Sequence, residues 1–197
     1  MSYLLGLTGS IGMGKSTTAA LFADRGCLVW DADSTVHHAY GPKGVAVGAI
    51  AKIAASAVGS NGVNRDQLRQ LISKDPTLLP QIEAIIHPIV QQDRQDFIAS
   101  NPNVILVFDI PLLFELNSAA AFDAVACVLA PSAAQKARVM ERPGMTEAHF
   151  TMINSKQLPA TVKATRADYI IDTTSSETAT TSVEFVLKDI KRKLENA

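Results

Sequence analysis

The sequence predicts an α/β fold, a three-layer sandwich with helices on both faces of a five-stranded parallel sheet, and two observations carry the prediction. Short apolar runs of strand length recur at 3–7, 27–30, 104–108, 124–129 and 169–171. They are rich in aromatic and β-branched residues and read as apolar on both faces, as strands covered by helices do. Helical patterns separate them, which calls for parallel strands joined by right-handed crossovers. A chain of 197 residues suits one such core with insertions and is short for two independent domains.

The elements follow in order. The first run leads into a glycine-rich stretch and a helix that begins near Gly14-Lys15-Ser16, passes through Ala19, Ala20 and Phe22, and stops at Gly26. After the second run, 34–103 exceeds a plain crossover and reads as several helices broken at Gly41-Pro42, at Gly59-Ser60-Asn61-Gly62 and at Asp75-Pro76. Inside it, Pro88 is expected to kink or break the helical stretch 81–99 and to expose His87. Beyond the fourth run, Ser132 with Gln135 has the capping-box pattern and opens a helix toward Arg142 that Pro143-Gly144 ends. Thr146 starts another helix that ends before Pro159. The last helix lines up Val183, Val186, Leu187, Ile190 and Leu194 on one face, leaving Lys188, Lys191, Arg192 and Lys193 solvated. The organisation expected is a nucleotide-binding core of 1–33, 104–131 and 166–197, a helical acceptor-binding insertion over 34–103, and a lid over 132–165. Such insertions lie over the carboxyl edge of a parallel sheet, where ligands bind.

Composition narrows the function. With 47% hydrophobic and 19% charged residues the chain has the material for a core and is not a disordered protein. Eighteen Lys and Arg balance nineteen Asp and Glu, so any anion site is local and no broad basic face for nucleic acid is expected. No apolar run approaches the roughly 20 residues of a membrane span, and the N-terminal apolar stretch is too short for a signal peptide. Cys27 and Cys127 read as reduced core thiols, and His37, His38 and His149 show no ligand spacing. These features predict a cytoplasmic protein with no structural metal, without nucleic-acid or membrane partners, and either monomeric or a small homo-oligomer.

Residues Gly9-Ser10-Ile11-Gly12-Met13-Gly14-Lys15-Ser16 match G-x-x-x-x-G-K-[ST], after a strand and opening a helix. Backbone N–H groups of such a loop point at phosphate oxygens, assisted by the helix N-terminus. Lys15 is expected at the β and γ phosphates and the Ser16 hydroxyl on Mg²⁺, with Thr17 following, so the chain binds a nucleoside triphosphate. The second strand ends Asp31-Ala32-Asp33, with both carboxylates pointing the same way if the chain stays extended. A carboxylate there serves as base for an acceptor hydroxyl. The third strand ends in Asp109, which either holds Mg²⁺ or contributes to the acceptor site. Arg138 and Arg142, at i and i+4, share a face of the lid helix and would clamp the triphosphate on closure, with Lys163 in a similar part. Arg65 and Arg69 repeat the spacing in the first insertion, and His87 is a candidate ligand contact there. Another small-molecule kinase remains open on these residues alone. A nucleotide-binding switch is disfavoured by the absence of N-K-x-D.

Taken together, the motifs resemble the dephospho-CoA kinase family. The matching pieces are Gly6 to Thr17, Asp31-Ala32-Asp33 with His37, Gly62-x-x-Arg65-x-x-Leu68, and Ile82 to Pro88. Asp109-Ile110-Pro111-Leu112-Leu113-Phe114-Glu115 follows, then Gln135-x-x-Arg138-x-x-x-Arg142, Gln157-x-Pro159, Lys163, and Ala167 to Asp172. The resemblance implies a P-loop kinase-type fold and phosphorylation of the ribose 3′-hydroxyl of dephospho-CoA by ATP with Mg²⁺, the last step of coenzyme A synthesis. It implies catalytic roles for Lys15, Asp33, Arg138 and Arg142, and ATP binding by Gly9, Gly12, Met13, Gly14, Lys15, Ser16 and Thr17. Acceptor binding falls on Thr8, Asp31, His37, Arg65, His87, Asp109, Pro111, Leu112 and Leu113. Three positions depart from the pattern: Thr173 stands where Asn is usual, Asn64 where an acidic residue is common, and Ser10 where Gly is commoner.

Overall fold

A computed structural model describes residues 2–196. β1 (Tyr3–Thr8), α1 (Lys15–Ala23) and β2 (Leu28–Asp31) open the chain. Then come α2 (Ala32–Tyr40), α3 (Val47–Ile53), the two-residue strands β3 (Val58–Gly59) and β4 (Gly62–Val63), α4 (Arg65–Lys74) and α5 (Leu78–Ser100). The order ends with β5 (Ile105–Asp109), β6 (Ala124–Leu129), α6 (Ser132–Met140), α7 (Glu147–Ser155), α8 (Ala160–Arg166), β7 (Tyr169–Asp172) and α9 (Ser176–Glu195).

The predicted α/β class holds: the main sheet has five strands in the order β2-β5-β1-β6-β7. β1 lies parallel to β5, with Leu5 opposite Val107, and parallel to β6, with Leu5 opposite Ala124. The central strands are apolar up to their carboxyl ends, where β1 closes on Thr8 and β5 on Asp109, because both faces are covered. The two edge strands are not, against expectation: Leu28 on β2 and Ile170 on β7 are 40% and 43% exposed. An edge strand has a neighbour on one side only, so its outer residues reach solvent.

The chain folds as two compact units, one made of the residues up to Trp30 together with those from Pro102 onward, the other of Asp31–Asn101. The first is built on Leu5, Leu7, Phe22, Val107, Val128, Ile171 and Ile190, all fully buried. It contains 132–165, the segment predicted as a lid. The second unit has a core of its own, with Ala46, Ile50, Ala57, Leu68, Ile82 and Ile86 buried together. It begins at Asp31 because that residue already caps the next helix.

Two helix boundaries depart from expectation. α5 continues through Pro88 for 23 residues. Proline removes one backbone bond, and burial of Ile82 and Ile86 in the core holds the turns before it in place. Ser132 does not cap α6: Pro131 takes the N-cap position without a side-chain bond, and Gln135 is buried elsewhere. The antiparallel pair β3–β4 was not foreseen; its strands are two residues each, too short for a period-2 pattern.

Candidate active site

β1 ends at Thr8, and the loop 9–14 turns into α1. Gly12 has φ 77, and a Cβ there would lie 2.4 Å from Val139 Cγ2 and 2.9 Å from the Gln135 carbonyl oxygen. Both belong to α6, so only glycine allows this approach in a left-handed backbone. The Met13 N–H closes the loop by donating to the Ser10 carbonyl at 3.1 Å. Gly14 is the N-cap and supplies no side-chain bond. The first helical bond runs from the Thr18 N–H to the Gly14 carbonyl at 3.0 Å. The amides of Lys15, Ser16 and Thr17 therefore have no intrahelical acceptor and form the positive end of α1. The Ser16 and Thr17 side chains are exposed. The Lys15 ammonium pairs with the Asp109 carboxylate.

Neighbouring segments hold this loop. The Ile11 N–H donates to Gln157 Oε1 at 3.0 Å, and the Ile11 carbonyl accepts from Gln135 Nε2 at 2.8 Å. The Thr173 hydroxyl lies 2.6 Å from the Met13 carbonyl and 3.1 Å from that of Leu129. Thr173 therefore ties the end of β7 to the loop and to β6. Arg138 donates through Nη2 to the Thr173 carbonyl at 2.6 Å. Arg142 is exposed and lies beyond the end of α6, not on a shared helical face with Arg138 as its spacing suggested.

Asp109 is buried at the end of β5 and leads into the Pro111 loop. The Pro111 carbonyl accepts from Thr8 Oγ1 at 3.1 Å and from Lys163 Nζ at 2.9 Å. Lys163 is fully buried and pairs with Glu115 at 2.9 Å, so it is not poised for phosphate as predicted. Burial there leaves an ammonium no option but an internal carboxylate. The same Glu115 oxygen accepts the Leu158 N–H at 2.8 Å. Burial alone would raise the Glu115 carboxyl, but Lys163 and backbone N–H donors, Leu158 among them, together hold it below the ordinary glutamate value. Leu113 is fully buried and Leu112 exposed. Ser10 Oγ and Glu115 Oε2 are buried and have no hydrogen-bond partner among the described residues. A recess of about 770 Å³, lined in part by Met13, Ala130, Pro131, Gln135 and Thr174, opens beside the loop.

In the second unit, Asp31 and Asp33 do not point the same way, because the chain turns helical at Ala32. Asp31 Oδ1 accepts the N–H groups of Asp33 and Ser34 at 2.8 and 3.1 Å and caps α2. Asp33 stands exposed in the first helical turn. Asn64 caps α4 in the same way, accepting from Asp66 and Gln67, so amide and acid serve equally at that position. Arg65 and His87 line one groove of about 250 Å³ with Leu68, Ile82 and Ile86, whereas His37 is exposed on α2 and does not line it. Gln157 and Glu115 gave no chemical signal in the sequence beyond their place in a pattern, and their partners lie far away along the chain.

A family model described as dephospho-CoA kinase matches residues 3–179. The chain belongs to the dephospho-CoA kinase family. It is a kinase, a transferase with a nucleotide-binding loop, and it acts in coenzyme A synthesis. Dephospho-CoA kinase of Ruegeria pomeroyi is 49% identical over 191 residues, 97% of either chain. That of Cereibacter sphaeroides is 48% identical over 189 residues, 96% of either. Among solved structures, a Thermus thermophilus protein superposes with a TM-score of 0.85 at 27% identity, covering 98% of both chains. Campylobacter jejuni dephospho-CoA kinase, at TM-score 0.67 and 20% identity over 96% of this kinase and 97% of that chain, shares the fold. Among the described residues, no helix is long and apolar enough to cross a membrane.

Proposed function

We propose that this kinase transfers the γ-phosphoryl group of ATP to the ribose 3′-hydroxyl of dephospho-CoA. The observation that carries the reading is the loop around Lys15: three amides without intrahelical acceptors and an ammonium at the start of α1, in a chain of this family. Its amides bind the β and γ phosphates, and Lys15 moves its charge from Asp109 onto the transferring group. The recess beside Met13 and Thr174 takes the nucleoside half. The Ser16 hydroxyl and the Asp109 carboxylate are hard oxygen donors of the kind magnesium prefers, and they would hold it. When bound, the ion neutralises charge on the phosphate oxygens.

Asp33 is the proposed base. Asp31 takes up the capping duty of α2, which leaves the Asp33 carboxylate exposed for an acceptor. The 3′-oxygen attacks the γ-phosphorus, the bond to the β–γ bridging oxygen breaks, ADP leaves with that electron pair, and the hydroxyl proton passes to Asp33. Arg138 and Arg142 supply positive charge to the equatorial oxygens, and closure of 132–165 excludes water. The groove with Arg65 and His87 suits an acceptor with anionic and apolar parts.

A coupled ADP-release assay with and without dephospho-CoA tests the reading, with phosphorus NMR locating the new phosphate. The expected result is ADP release that requires dephospho-CoA and a product bearing a 3′-phosphate. Asp33→Asn is expected to lose at least about 100-fold in kcat while still binding ATP. Acceptor-independent ADP release would refute the activity, and near-normal turnover in Asp33→Asn would refute the base.

A further inference from the structure

We infer that Gln135 and Gln157 are positioning residues for the triphosphate loop, holding Ile11 by its N–H and its carbonyl, which belong to the two successive peptides on either side of its Cα. The inference rests on the reading of that loop as the ATP site. Gln157 accepts the Ile11 N–H at 3.0 Å, and Gln135 donates to the Ile11 carbonyl at 2.8 Å. Ile11 lies midway along the loop, three residues before the helix cap. Gln135 is only 6% exposed, so its amide is committed to this bond. One turn of α6 bears on the next residue as well, since Gln135 and Val139 leave no room for a Cβ on Gly12.

The chemistry of the pair fits the task. A loop that receives several phosphate charges needs its outer backbone groups satisfied without adding a charge. A carboxylate would accept the N–H but repel the nucleotide, and an ammonium would donate but not accept. The glutamine amide offers a neutral donor and a neutral acceptor on a long, flexible side chain. The Ile11 N–H, spent on Gln157, is not a phosphate donor; the donors lie downstream. Fixing the planes of the two peptides that flank the Ile11 Cα fixes the entry into the left-handed turn at Gly12, and so the direction of the amides that follow. Both glutamines come from 132–165, so the segment expected to close over ATP also shapes the loop beneath it.

Gln135→Met, Gln157→Met and the double variant test this, beside wild type and Lys15→Ala. The readouts are kcat, KM for ATP, KM for dephospho-CoA, and ATP affinity by titration calorimetry. Each single variant is expected to weaken ATP binding about tenfold, the effect of one hydrogen bond to a buried backbone group, and to leave KM for dephospho-CoA within about twofold. The double variant is expected to fall short of the product of the singles, because both act on one residue. Gln157→Glu keeps the acceptor but adds charge, so its loss of ATP affinity is expected to shrink as salt is raised. Should Gln135→Met fail to fold, the two Gln157 variants decide alone, since Gln157 lies in a partly exposed loop. Unchanged ATP affinity, or equal rises in both KM values, overturns the inference. If Lys15→Ala also leaves ATP binding and turnover unchanged, it is the loop reading that fails. If Lys15→Ala is inactive and the glutamine variants are normal, the inference alone fails.

Discussion

Replacing Lys163 by Met deletes an ammonium that is fully buried and bonded to Glu115 and to the Pro111 carbonyl, each at 2.9 Å. The Glu115 carboxylate then keeps backbone N–H donors, that of Leu158 among them, while its second oxygen is buried with no partner among the described residues. Removing one member of a buried pair costs about 3–5 kcal/mol, because the remaining charge stays desolvated. Unfolding entropy near 2.1 cal/mol/K per residue amounts to about 0.4 kcal/mol/K for this chain, so Tm is expected to fall by about 7–12 °C. The sign of the pH effect follows from the carboxyl. In the wild type its lowered pKa contributes stability that is present above the ordinary glutamate value and is lost as pH falls through the lowered one. In the variant, loss of the ammonium leaves burial less opposed and moves the same pKa upward. The penalty is therefore full at neutral pH and shrinks as the medium is acidified toward pH 5. Calorimetry at both pH values measures it, with Lys163→Met/Glu115→Gln expected to recover more than half of the loss. A fall of less than about 2 °C at neutral pH, or a gap that widens on acidification, would show that the buried Lys163–Glu115 pair does not stabilise the fold.

Three further outcomes are expected. Gly12→Ala forces a Cβ to within 2.4 Å of Val139 at φ 77, so ATP affinity should drop at least about tenfold in equilibrium titration; wild-type binding would contradict the packing. Asp31→Ala removes the cap of α2 at a cost of about 1 kcal/mol, readable as a lower midpoint in denaturant, and Asp31→Asn should restore it. Burial pushes the Cys27 and Cys127 thiols up to about 11, so neither should react readily with a thiol reagent at pH 8 until the protein is unfolded. Fast native labelling would count against that environment.

Much of this was legible along the chain because it is written locally. Five apolar runs announce five strands, and the glycines before Lys15 announce the loop, since strand, turn and helix cap are all decided within a few residues. What escaped reading is non-local. Gln135 looks like a capping-box partner of Ser132, but its real partner is Ile11, more than a hundred residues earlier. Lys163 looks like one more cation near a phosphate site, and only burial turns it toward Glu115. Asp31 and Asp33 alternate as a strand would have them, but the helix begins at Ala32, two residues before the expected insertion, which gives them different tasks. Thr173 reads only as a departure from the usual Asn, yet its hydroxyl reaches the Met13 carbonyl far along the chain.

The division at Trp30 and Pro102 has a consequence for how the chain is made. Asp31–Asn101 is contiguous and owns its core, so it is complete in the growing chain before the first residue of β5 has been synthesised. The other unit waits: β1 is among the first segments to leave the ribosome, yet Tyr3 pairs with Ile105 and Leu5 with Ala124. Its two flanking partners thus arrive only after about a hundred further residues, and the edge strand β7 follows still later. Loop closure over that distance is the slow event, and during it an apolar strand is exposed. Early folding of the contiguous unit replaces a flexible stretch between β2 and β5 by a folded one, leaving the late strands less chain to search through.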